Sequence, residues 1–283
     1  MTTYAVTAAS GHLGRLAVED LLARGEGDVV AIVRDPGKVA DLAGRGVTVR
    51  AGDYDDPASL AAALQGVDRL LLVSGSEPGK RIAQHTRVVE AAKAAGVQRI
   101  AYTSILRADT SGNPLAPDHA GTEEVLAAAG IEFTVLRNSW YLENYTAQLG
   151  QYLRTGEIVG SAHEGRVSAA SRADYAQAAV AALTAEDPGQ VHELAGASFS
   201  FPELAAAVTE VTGATVTYRD LTTQEHVQTL QAVGLDAGTA AFVAALDASI
   251  AAGDLQTDRT DLVELLGRPA TSLTDALRAA HGA

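Results

Sequence analysis

Glycines punctuate the first half of this sequence, and each one ends a helical pattern just before an apolar, β-branched run. The glycines are Gly25, Gly46, Gly66, Gly96 and Gly130, and the runs are residues 29–33, 47–49, 70–73, 97–102 and 131–136. Glycine suits the left-handed residue that closes a helix, so each junction predicts a helix followed by a strand. With residues 4–6, these runs predict six strands alternating with helices. The alternation is typical of an α/β fold with a Rossmann-type, doubly wound parallel sheet.

The turn after the first strand, T-A-A-S-G-H-L-G at residues 7–14, carries the first functional signal. A strand, a turn of small residues and a helix form the layout that binds a pyrophosphate at a helix N-terminus. Gly11 and Gly14 have the spacing of that fingerprint, but Ala8 replaces its first glycine. Alanine fits there only if its φ is negative, so this element of the fingerprint is weakened. The alternative is an ordinary strand-to-helix turn without a ligand.

Charge and composition exclude several classes of function. The chain has 283 residues, no cysteine and a net charge of −14. The missing cysteines exclude disulfides, thiolate catalysis and thiolate-bound zinc. The acidic balance argues against nucleic acid or an anionic membrane as main partner. No apolar run is long enough to span a membrane, and the first residues do not resemble a signal peptide, so a cytoplasmic protein is expected.

The regular pattern loosens after residue 137, and a smaller α/β lobe is expected from there on. Helical patterns occur at residues 172–183 and 202–211, short strands at 191–194 and 215–218, and mostly helix follows residue 222. We expect a dinucleotide-binding domain at 1–137 and a substrate-binding lobe at 138–283, with a soft, interleaved boundary. The lobe would pack against the carboxyl ends of the strands, where open α/β sheets bind ligands. Arg172 and Asp174 are expected to tie the lobes together rather than to catalyse.

Arg34 ends the second predicted strand, about 20 residues after the first turn, where this topology places the adenosine ribose. A carboxylate there would accept a hydrogen bond from a free 2′-hydroxyl, whereas arginine suits a 2′-phosphate. Asp35 precedes Pro36 and is better explained as a helix N-cap. The sequence therefore predicts NADPH rather than NADH as the cofactor. The alternative is an ordinary surface arginine.

Small or polar residues follow the next two strands. Asp53 ends the third strand and is expected either at the adenine edge of a cofactor or in a helix cap, for which Asp56 is the better candidate. Ser74, Gly75 and Ser76 end the fourth strand and leave room for the cofactor's ribose and nicotinamide. A plain polar loop is the alternative for them.

Ionisable residues on two predicted helices need separate explanations. Lys80, Arg81 and His85 are expected to form a solvated basic face. His119 and Glu123 occupy the positions where short-chain dehydrogenases carry Tyr-x-x-x-Lys. A carboxylate in place of the ammonium disfavours the usual alcohol chemistry. The i, i+4 spacing raises the question of a metal, but a surface hydrogen-bonded pair is the favoured interpretation, and no metal is predicted.

The segment after the sixth strand, L-R-N-S-W-Y-L-E-N-Y at residues 136–145, is rich in aromatic and amide groups. Asn138 and Ser139 are expected beside the nicotinamide. Trp140, Tyr141 and Tyr145 are candidates for an apolar wall against which a flat ring stacks. The equal alternative is that these aromatics anchor the core of the second lobe.

Together these residues resemble the NmrA-like, atypical short-chain dehydrogenase family, and within it the bacterial NADPH:quinone oxidoreductase 2 type. The similar stretches are residues 31–34, 64–67, 91–97, 100–104, 108–111, 136–138, 140–141, 143–145, 172–175 and 193–196. They span most of the first 200 residues, and the likeness is weaker beyond that point. Ala8 in the glycine turn is the departure from the family pattern.

The resemblance implies NADP as cofactor and the two-electron reduction of a quinone to a hydroquinone. The implied cofactor contacts are Ala8, Ala9, Ser10, Gly11, His12, Leu13, Arg34, Ser74, Gly75, Ser76, Asn138, Ser139, Trp140, Tyr141, Leu142 and Glu143. The candidate hydrogen-bond donors to the developing oxyanion are Tyr102, Asn138, Tyr141 and Asn144. A quinone accepts hydride readily, so positioning and one hydrogen bond would be most of the protein's task. No general acid is assigned.

Two other functions stay open at this point. An NADP-binding sensor without turnover, which regulates a partner protein, would use the same glycine turn. Reduction or epimerisation of another substrate, such as a nucleotide sugar, is disfavoured by the missing Tyr-x-x-x-Lys pair. A homodimer is compatible with the family, although no stretch of the sequence marks an interface.

Overall fold

The computed structural model describes residues 1–77, 79–187 and 191–282. Its strands are β1 Thr3–Val6, β2 Asp28–Val33, β3 Thr48–Ala51, β4 Arg69–Leu72, β5 Arg99–Ile105, β6 Glu132–Asn138, β7 Glu157–Gly160, β8 Arg166–Val167, β9 Val191–Leu194, β10 Phe199–Ser200 and β11 Thr217–Asp220. Its α-helices are α1 His12–Arg24, α2 Ala40–Ala43, α3 Pro57–Ala63, α4 Arg81–Ala95, α5 Ala116–Ala129, α6 Glu143–Thr146, α7 Leu149–Thr155, α8 Arg172–Thr184, α9 Phe201–Thr212, α10 Thr223–Ala232, α11 Ala237–Ala251, α12 Asp261–Leu266 and α13 Leu273–His281.

A parallel sheet of seven strands forms the centre of the molecule, in the order β3-β2-β1-β4-β5-β6-β9. The six strands predicted from the glycine junctions are all present in it. The five junction glycines have φ between +65° and +91°, the left-handed region that the pattern requires. The direction of the strand order reverses between β1 and β4, which creates a switch point where parallel sheets bind ligands.

Helices cover both faces of this sheet, as the apolar strands require. Successive residues of a strand point to opposite faces, so Leu71 packs towards α1 and α8, whereas Leu70 and Leu72 pack towards α3, α4 and α5. Two predicted caps are also present. Asp35 Oδ1 accepts a hydrogen bond from the Gly37 amide, and Asp56 Oδ1 accepts from the amides at the start of α3.

The residues after β6 build a smaller lobe and also return to the main sheet. β7 pairs with β11, β8 pairs with β10, and a third apolar core with Tyr145, Tyr152, Phe199 and Phe201 lies among them. β9, however, is the edge strand beside β6, and α8 packs on α1. We therefore propose that the boundary at residue 138 marks only where the chain first leaves the main sheet for the smaller lobe, since later residues return to the sheet.

Within the described ranges, no helix is both long and apolar enough to cross a bilayer.

Candidate active site

A cleft of about 410 Å³ opens at the carboxyl ends of β1, β2 and β4. Four of the predicted groups meet in it: the first turn, Arg34, the loop after β4, and Tyr141. Its main polar and turn residues are Ala8, Ser10, Gly11, His12, Leu13, Gly14, Arg34, Asp53, Tyr54, Ser74, Gly75, Ser76, Tyr141 and Arg172. The cleft lies at the switch point of the sheet, so the fold places it where a dinucleotide is expected.

The first turn is packed too tightly for larger residues. A Cβ on Gly14 would lie 2.5 Å from the carbonyl oxygen of Ala8, and the Gly11 amide donates to that same oxygen at 2.9 Å. Gly11 is the N-cap of α1, and no side chain caps the helix or places an acid in its first turn. The first amides of α1 can therefore bind an anion.

Ala8 adopts φ +48°, so the condition of a negative φ, under which alanine fits the turn without strain, is not met. The turn has to reverse the chain between β1 and α1 within a few residues, and the left-handed conformation is retained although the side chain is alanine. This conformation costs a non-glycine residue about 1–2 kcal/mol. Ala9 is fully buried in the core and does not line the cleft, and the Leu13 side chain is also buried.

Arg34 lies at the far end of the cleft. Its side chain is 72% exposed, and its Nη1 is 3.4 Å from Glu77 Oε1, a weak pair at the surface. Asp35 Oδ1 accepts from the Gly37 amide at 3.0 Å, in the N-cap role predicted for it. Asp53 also lines the cleft, and its Oδ1 accepts from the Asp55 amide.

The loop after β4 is held by four side chains, which come from β5, from α4 and from the loop after β3. The Ser74 amide donates to Thr103 Oγ1 at 2.9 Å, and the Gly75 amide donates to His85 Nε2 at 3.0 Å. Arg81 Nε donates to the Gly75 carbonyl at 2.9 Å. Tyr54 donates to the Val73 carbonyl at 2.8 Å. The loop is therefore fixed from behind before any ligand is bound.

The expected solvated basic face was wrong for two of its three residues. Arg81 is 6% exposed and His85 is fully buried, because α5 packs over this side of α4; only Lys80 is exposed, paired with Glu77. Burial lowers the pKa of His85 to about 3. The neutral ring can accept from the Gly75 amide through Nε2, which leaves Nδ1–H to donate to Thr122 Oγ1 at 3.0 Å.

Tyr102 does not lie in the cleft, which argues against its predicted role as a donor to the substrate. It is fully buried on the α4–α5 side of the sheet, and its hydroxyl is hydrogen-bonded to His119 Nδ1 at 2.8 Å. Burial raises the pKa of Tyr102 and lowers that of His119 well below its usual value. Both groups are therefore neutral structural partners.

The expected surface pair of His119 and Glu123 was also wrong. His119 is buried with Tyr102, whereas Glu123 accepts from Ser104 Oγ at 2.5 Å and from Arg137 Nη2 at 2.6 Å. In the described part of the chain, His, Asp and Glu residues form no group of three or more that could hold a metal ion.

The end of β6 places its polar residues at different depths. Asn138 and Ser139 are buried and do not line the cleft; Ser139 Oγ donates to the Leu255 carbonyl. Asn138 Oδ1 receives no hydrogen bond from any described residue.

Tyr141 forms the wall of the cleft with Arg172. The Arg172 guanidinium carbon lies 4.5 Å from the centre of the Tyr141 ring. Arg172 Nη2 also donates to Asn144 Oδ1 at 3.1 Å, and its backbone amide donates to Glu143 Oε1 at 2.9 Å. Burial raises the pKa of Tyr141. Arg172 thus orders three predicted site residues at once, a role that its sequence position did not indicate.

The predicted aromatic wall is divided between two cavities. Tyr141 faces the dinucleotide cleft, but Trp140 and Tyr145 line a second cavity inside the smaller lobe. Leu142 is buried in the core of that lobe. Asp174 accepts from the Thr271 amide at 2.9 Å and pairs with Arg268 at 2.8 Å, so it ties α8 to the segment before α13.

Sequence reasoning missed Tyr54, Thr103 and His85 as supports of the cleft. Tyr54 carried one signal, because it is the single aromatic residue in the acidic run G-D-Y-D-D. Thr103 carried a weaker one, since it follows Tyr102 in a strand whose carboxyl end had to face the site.

A sequence profile described as NAD(P)H-binding matches residues 8–186. The chain belongs to this NAD(P)H-binding family. It is 45% identical over 276 residues to quinone oxidoreductase 2 of Escherichia coli (strain K12), with 96% of each chain covered. It is 30% identical to an NmrA-like family domain-containing oxidoreductase of Aspergillus flavus, with 97% of this chain and 94% of the relative covered.

The fold agrees with these relatives of the NAD(P)H-binding family. The crystal structure of the NADPH-dependent quinone oxidoreductase QOR2 from Escherichia coli, complexed with NADPH, superposes with a TM-score of 0.95. The identity in that comparison is 44%, and 98% of this chain and 99% of the other are covered. The predicted fold class and the predicted resemblance to NmrA-like reductases are confirmed.

Proposed function

We propose that this protein is an NADPH-dependent quinone oxidoreductase, which reduces a quinone to a hydroquinone in one two-electron step. One observation carries the proposal: nearly the whole backbone superposes on the crystal structure of a quinone oxidoreductase complexed with NADPH. The 45% identity to quinone oxidoreductase 2 of Escherichia coli supports the same reaction.

The cleft offers each part of NADPH a group of suitable chemistry. The free amides at the start of α1 would bind the pyrophosphate. The close packing of Gly14 against the Ala8 carbonyl keeps side chains out of the turn, so a ligand can approach its backbone. Arg34 would bind the 2′-phosphate. Ser74, Gly75 and Ser76 would border the ribose and nicotinamide, with Tyr141 and Arg172 opposite. Bound NADPH would supply the hydride.

Some predicted contacts keep only an indirect role in this proposal. Ala9 and Leu142 are buried in the two cores and shape the backbone rather than touch a ligand. Asn138 and Ser139 lie just behind the cleft, and Glu143 faces an adjoining hollow with His12 and Arg172. Trp140 faces the second cavity.

The reduction of a quinone by hydride requires little proton transfer from the side chains. A quinone that takes up a hydride becomes a hydroquinone anion, and one proton completes the product. Tyr141 and Asn144 stay as the proposed donors to the developing oxyanion. Asn138 is buried and does not line the cleft, so we propose only a supporting role for it. Tyr102 is removed from this role, because His119 holds its hydroxyl inside the core. A general acid is not required, since the product oxygen can take its proton from water.

The deciding experiment is NADPH oxidation by the purified protein, with and without 1,4-benzoquinone, and with NADH as control. Oxidation that depends on the quinone and prefers NADPH supports the proposal. Tight NADPH binding without oxidation would instead favour a sensor that regulates a partner. A cytoplasmic location and a homodimer stay predictions.

A further inference from the structure

An ion pair spans the Arg34 end of the dinucleotide cleft. Arg34 directly follows β2, and Glu77 lies in the loop after β4, with β1 between these two strands in the sheet. Both side chains line the cleft, and Arg34 Nη1 lies 3.4 Å from Glu77 Oε1. Within the described ranges, Glu77 is the one carboxylate that pairs with Arg34. The guanidinium expected to bind a phosphate therefore already has an anionic partner inside the chain.

Glu77 also has a second cation, Lys80 at the N-terminus of α4. Lys80 Nζ donates to Glu77 Oε2 at 3.0 Å, so the two cations use different oxygens of the carboxylate. The hydrogen bond from Lys80 lowers the pKa of Glu77, which is therefore ionised at neutral pH. Lys80 itself does not line the cleft. If Arg34 turned towards a ligand, Glu77 would still be paired.

A 2′-phosphate and the Glu77 carboxylate compete for the same guanidinium. Arginine binds carboxylates and phosphates through the same planar fork of N–H donors. A phosphate monoester carries close to two negative charges at pH 7, and its approach to Arg34 would bring it near the Glu77 carboxylate. Like charges at such a distance repel each other. NADH carries a hydroxyl in place of this phosphate, so its binding causes no such repulsion.

We propose that Glu77 is a specificity-determining residue, an internal competitor for Arg34 that lowers the affinity for cofactors with a 2′-phosphate. The inference rests on the part of the proposed function that assigns NADPH to the cleft and Arg34 to its phosphate. Glu77 opposes the preference that Arg34 creates, so the chain prefers NADPH by less than its arginine alone would give. NADP+ carries the same phosphate, so Glu77 also favours release of the oxidised cofactor after hydride transfer. Lys80 limits the competition, because it neutralises Glu77 from the other side.

Equilibrium binding without a quinone tests this role separately from turnover. Isothermal titration calorimetry gives Kd for NADPH, NADP+ and NADH at about 0.1 M and about 1 M salt, where the Debye length is about 10 Å and about 3 Å. Glu77→Gln keeps the length of the side chain and removes its charge. At the lower salt it should lower Kd for NADPH and NADP+ about two- to fivefold, with Kd for NADH unchanged. The gain should shrink at the higher salt, because screening weakens both the pair and the repulsion.

Glu157→Gln is the matched control, because Glu157 is a similarly exposed carboxylate that pairs with Arg219 at 3.1 Å outside the cleft. Each variant removes one negative charge from a chain with a net charge of −14, so the comparison subtracts the general effect of charge on an anionic ligand. An equal gain in Glu157→Gln would overturn the proposal. Weaker binding of NADPH by Glu77→Gln would also overturn it, because Glu77 would then orient Arg34 or contact the ribose.

A change at Lys80 tests the same competition in the opposite direction. Lys80→Gln leaves Glu77 paired with Arg34 alone among the described residues, and should raise Kd for NADPH about twofold. In the Glu77→Gln background, the Lys80→Gln change should have no effect, because Lys80 acts through Glu77. An equal loss in both backgrounds would contradict the proposal, since Lys80 would then attract the phosphate directly.

Quinone reduction and cofactor choice are separable in these measurements. If Glu77→Gln tightens NADPH binding but the protein reduces no quinone, the competitor role stands and the proposed reaction fails. If the wild type binds NADPH and NADH equally and Arg34→Ala changes neither Kd, the competitor role fails. Quinone reduction with either cofactor would then leave the proposed reaction in place.

Discussion

At the scale of single residues, Ala8 has a backbone conformation that its side chain disfavours, as do Arg107 and His163. Its φ of +48° suits glycine, and the turn keeps it because the Gly11 amide is bonded to its carbonyl. Ala8→Gly should stabilise the protein by about 0.5–1 kcal/mol, after the extra freedom of glycine in the unfolded chain is subtracted. Ala8→Val should destabilise it, because a β-branched side chain is worse at positive φ. Urea denaturation measures both, and equal stabilities would contradict the strain.

Arg34 is the residue that should decide the choice of cofactor. Arg34→Ala removes the charged partner of a 2′-phosphate, and such a hydrogen bond is worth about 1.5–3 kcal/mol. KM for NADPH should therefore rise roughly 10- to 100-fold, with KM for NADH almost unchanged. Steady-state kinetics with both cofactors measure the effect. Arg45→Ala is the control, since Arg45 is an exposed arginine paired with Glu19 outside the cleft.

At the scale of elements, His85 couples α4 to the loop after β4. Its folded pKa of about 3 lies below the unfolded value of about 6.5, so only the unfolded chain binds a proton between these pH values. Stability should then fall as pH drops from 6.5 towards 3, by about 1 kcal/mol per pH unit from this group.

The replacement His85→Gln separates charge from geometry. The glutamine Oε1 can accept from the Gly75 amide, but the side chain does not titrate. We expect a shallower loss of stability below pH 6.5 in denaturant titrations, and NADPH binding close to that of the wild type. His85→Leu should weaken NADPH binding, because the Gly75 amide loses its acceptor. An unchanged pH slope in His85→Gln would assign the acid sensitivity to other groups, His119 among them.

Another element-scale prediction concerns Arg137 at the end of β6. Its side chain is 9% exposed and pairs with Glu123 of α5 and Glu193 of β9. Arg137→Met would leave both carboxylates with little solvent and no cation, a loss of about 3–5 kcal/mol. Arg278→Met, which breaks an exposed pair with Asp275, should change stability by less than about 1 kcal/mol. Thermal or urea unfolding compares the two variants.

Features carried by local sequence were predictable, and features set by packing were not. The helix–glycine–strand junctions, the first turn and the caps at Asp35 and Asp56 each depend on a few neighbouring residues. The neutral, buried state of His85 depends on α5, which lies more than thirty positions away along the chain. β9 was expected as a strand but not as part of the main sheet, because its pairing with β6 leaves no local signature.

At the scale of the whole molecule, the two lobes are joined by the path of the chain. After leaving the main sheet at β6, the chain builds part of the smaller lobe and then returns with α8 and β9. α8 packs on α1 and buries Tyr175, Ala179 and Leu183 against the face of the sheet to which Leu71 points. Without α8, that face of α1 and of the sheet would be exposed to water.

We therefore predict that a fragment of residues 1–137 does not fold by itself. The fragment would lack β9 and the last residue of β6 but would contain the rest of the main sheet. It would, however, expose the apolar surface that α8 covers. Circular dichroism should show no cooperative thermal transition for the fragment, whereas the full chain should unfold in one. A fragment of residues 1–197, which restores α8 and β9, is the matched comparison and should regain part of the transition. Cooperative melting of the shorter fragment would show instead that the dinucleotide-binding half is an independent domain.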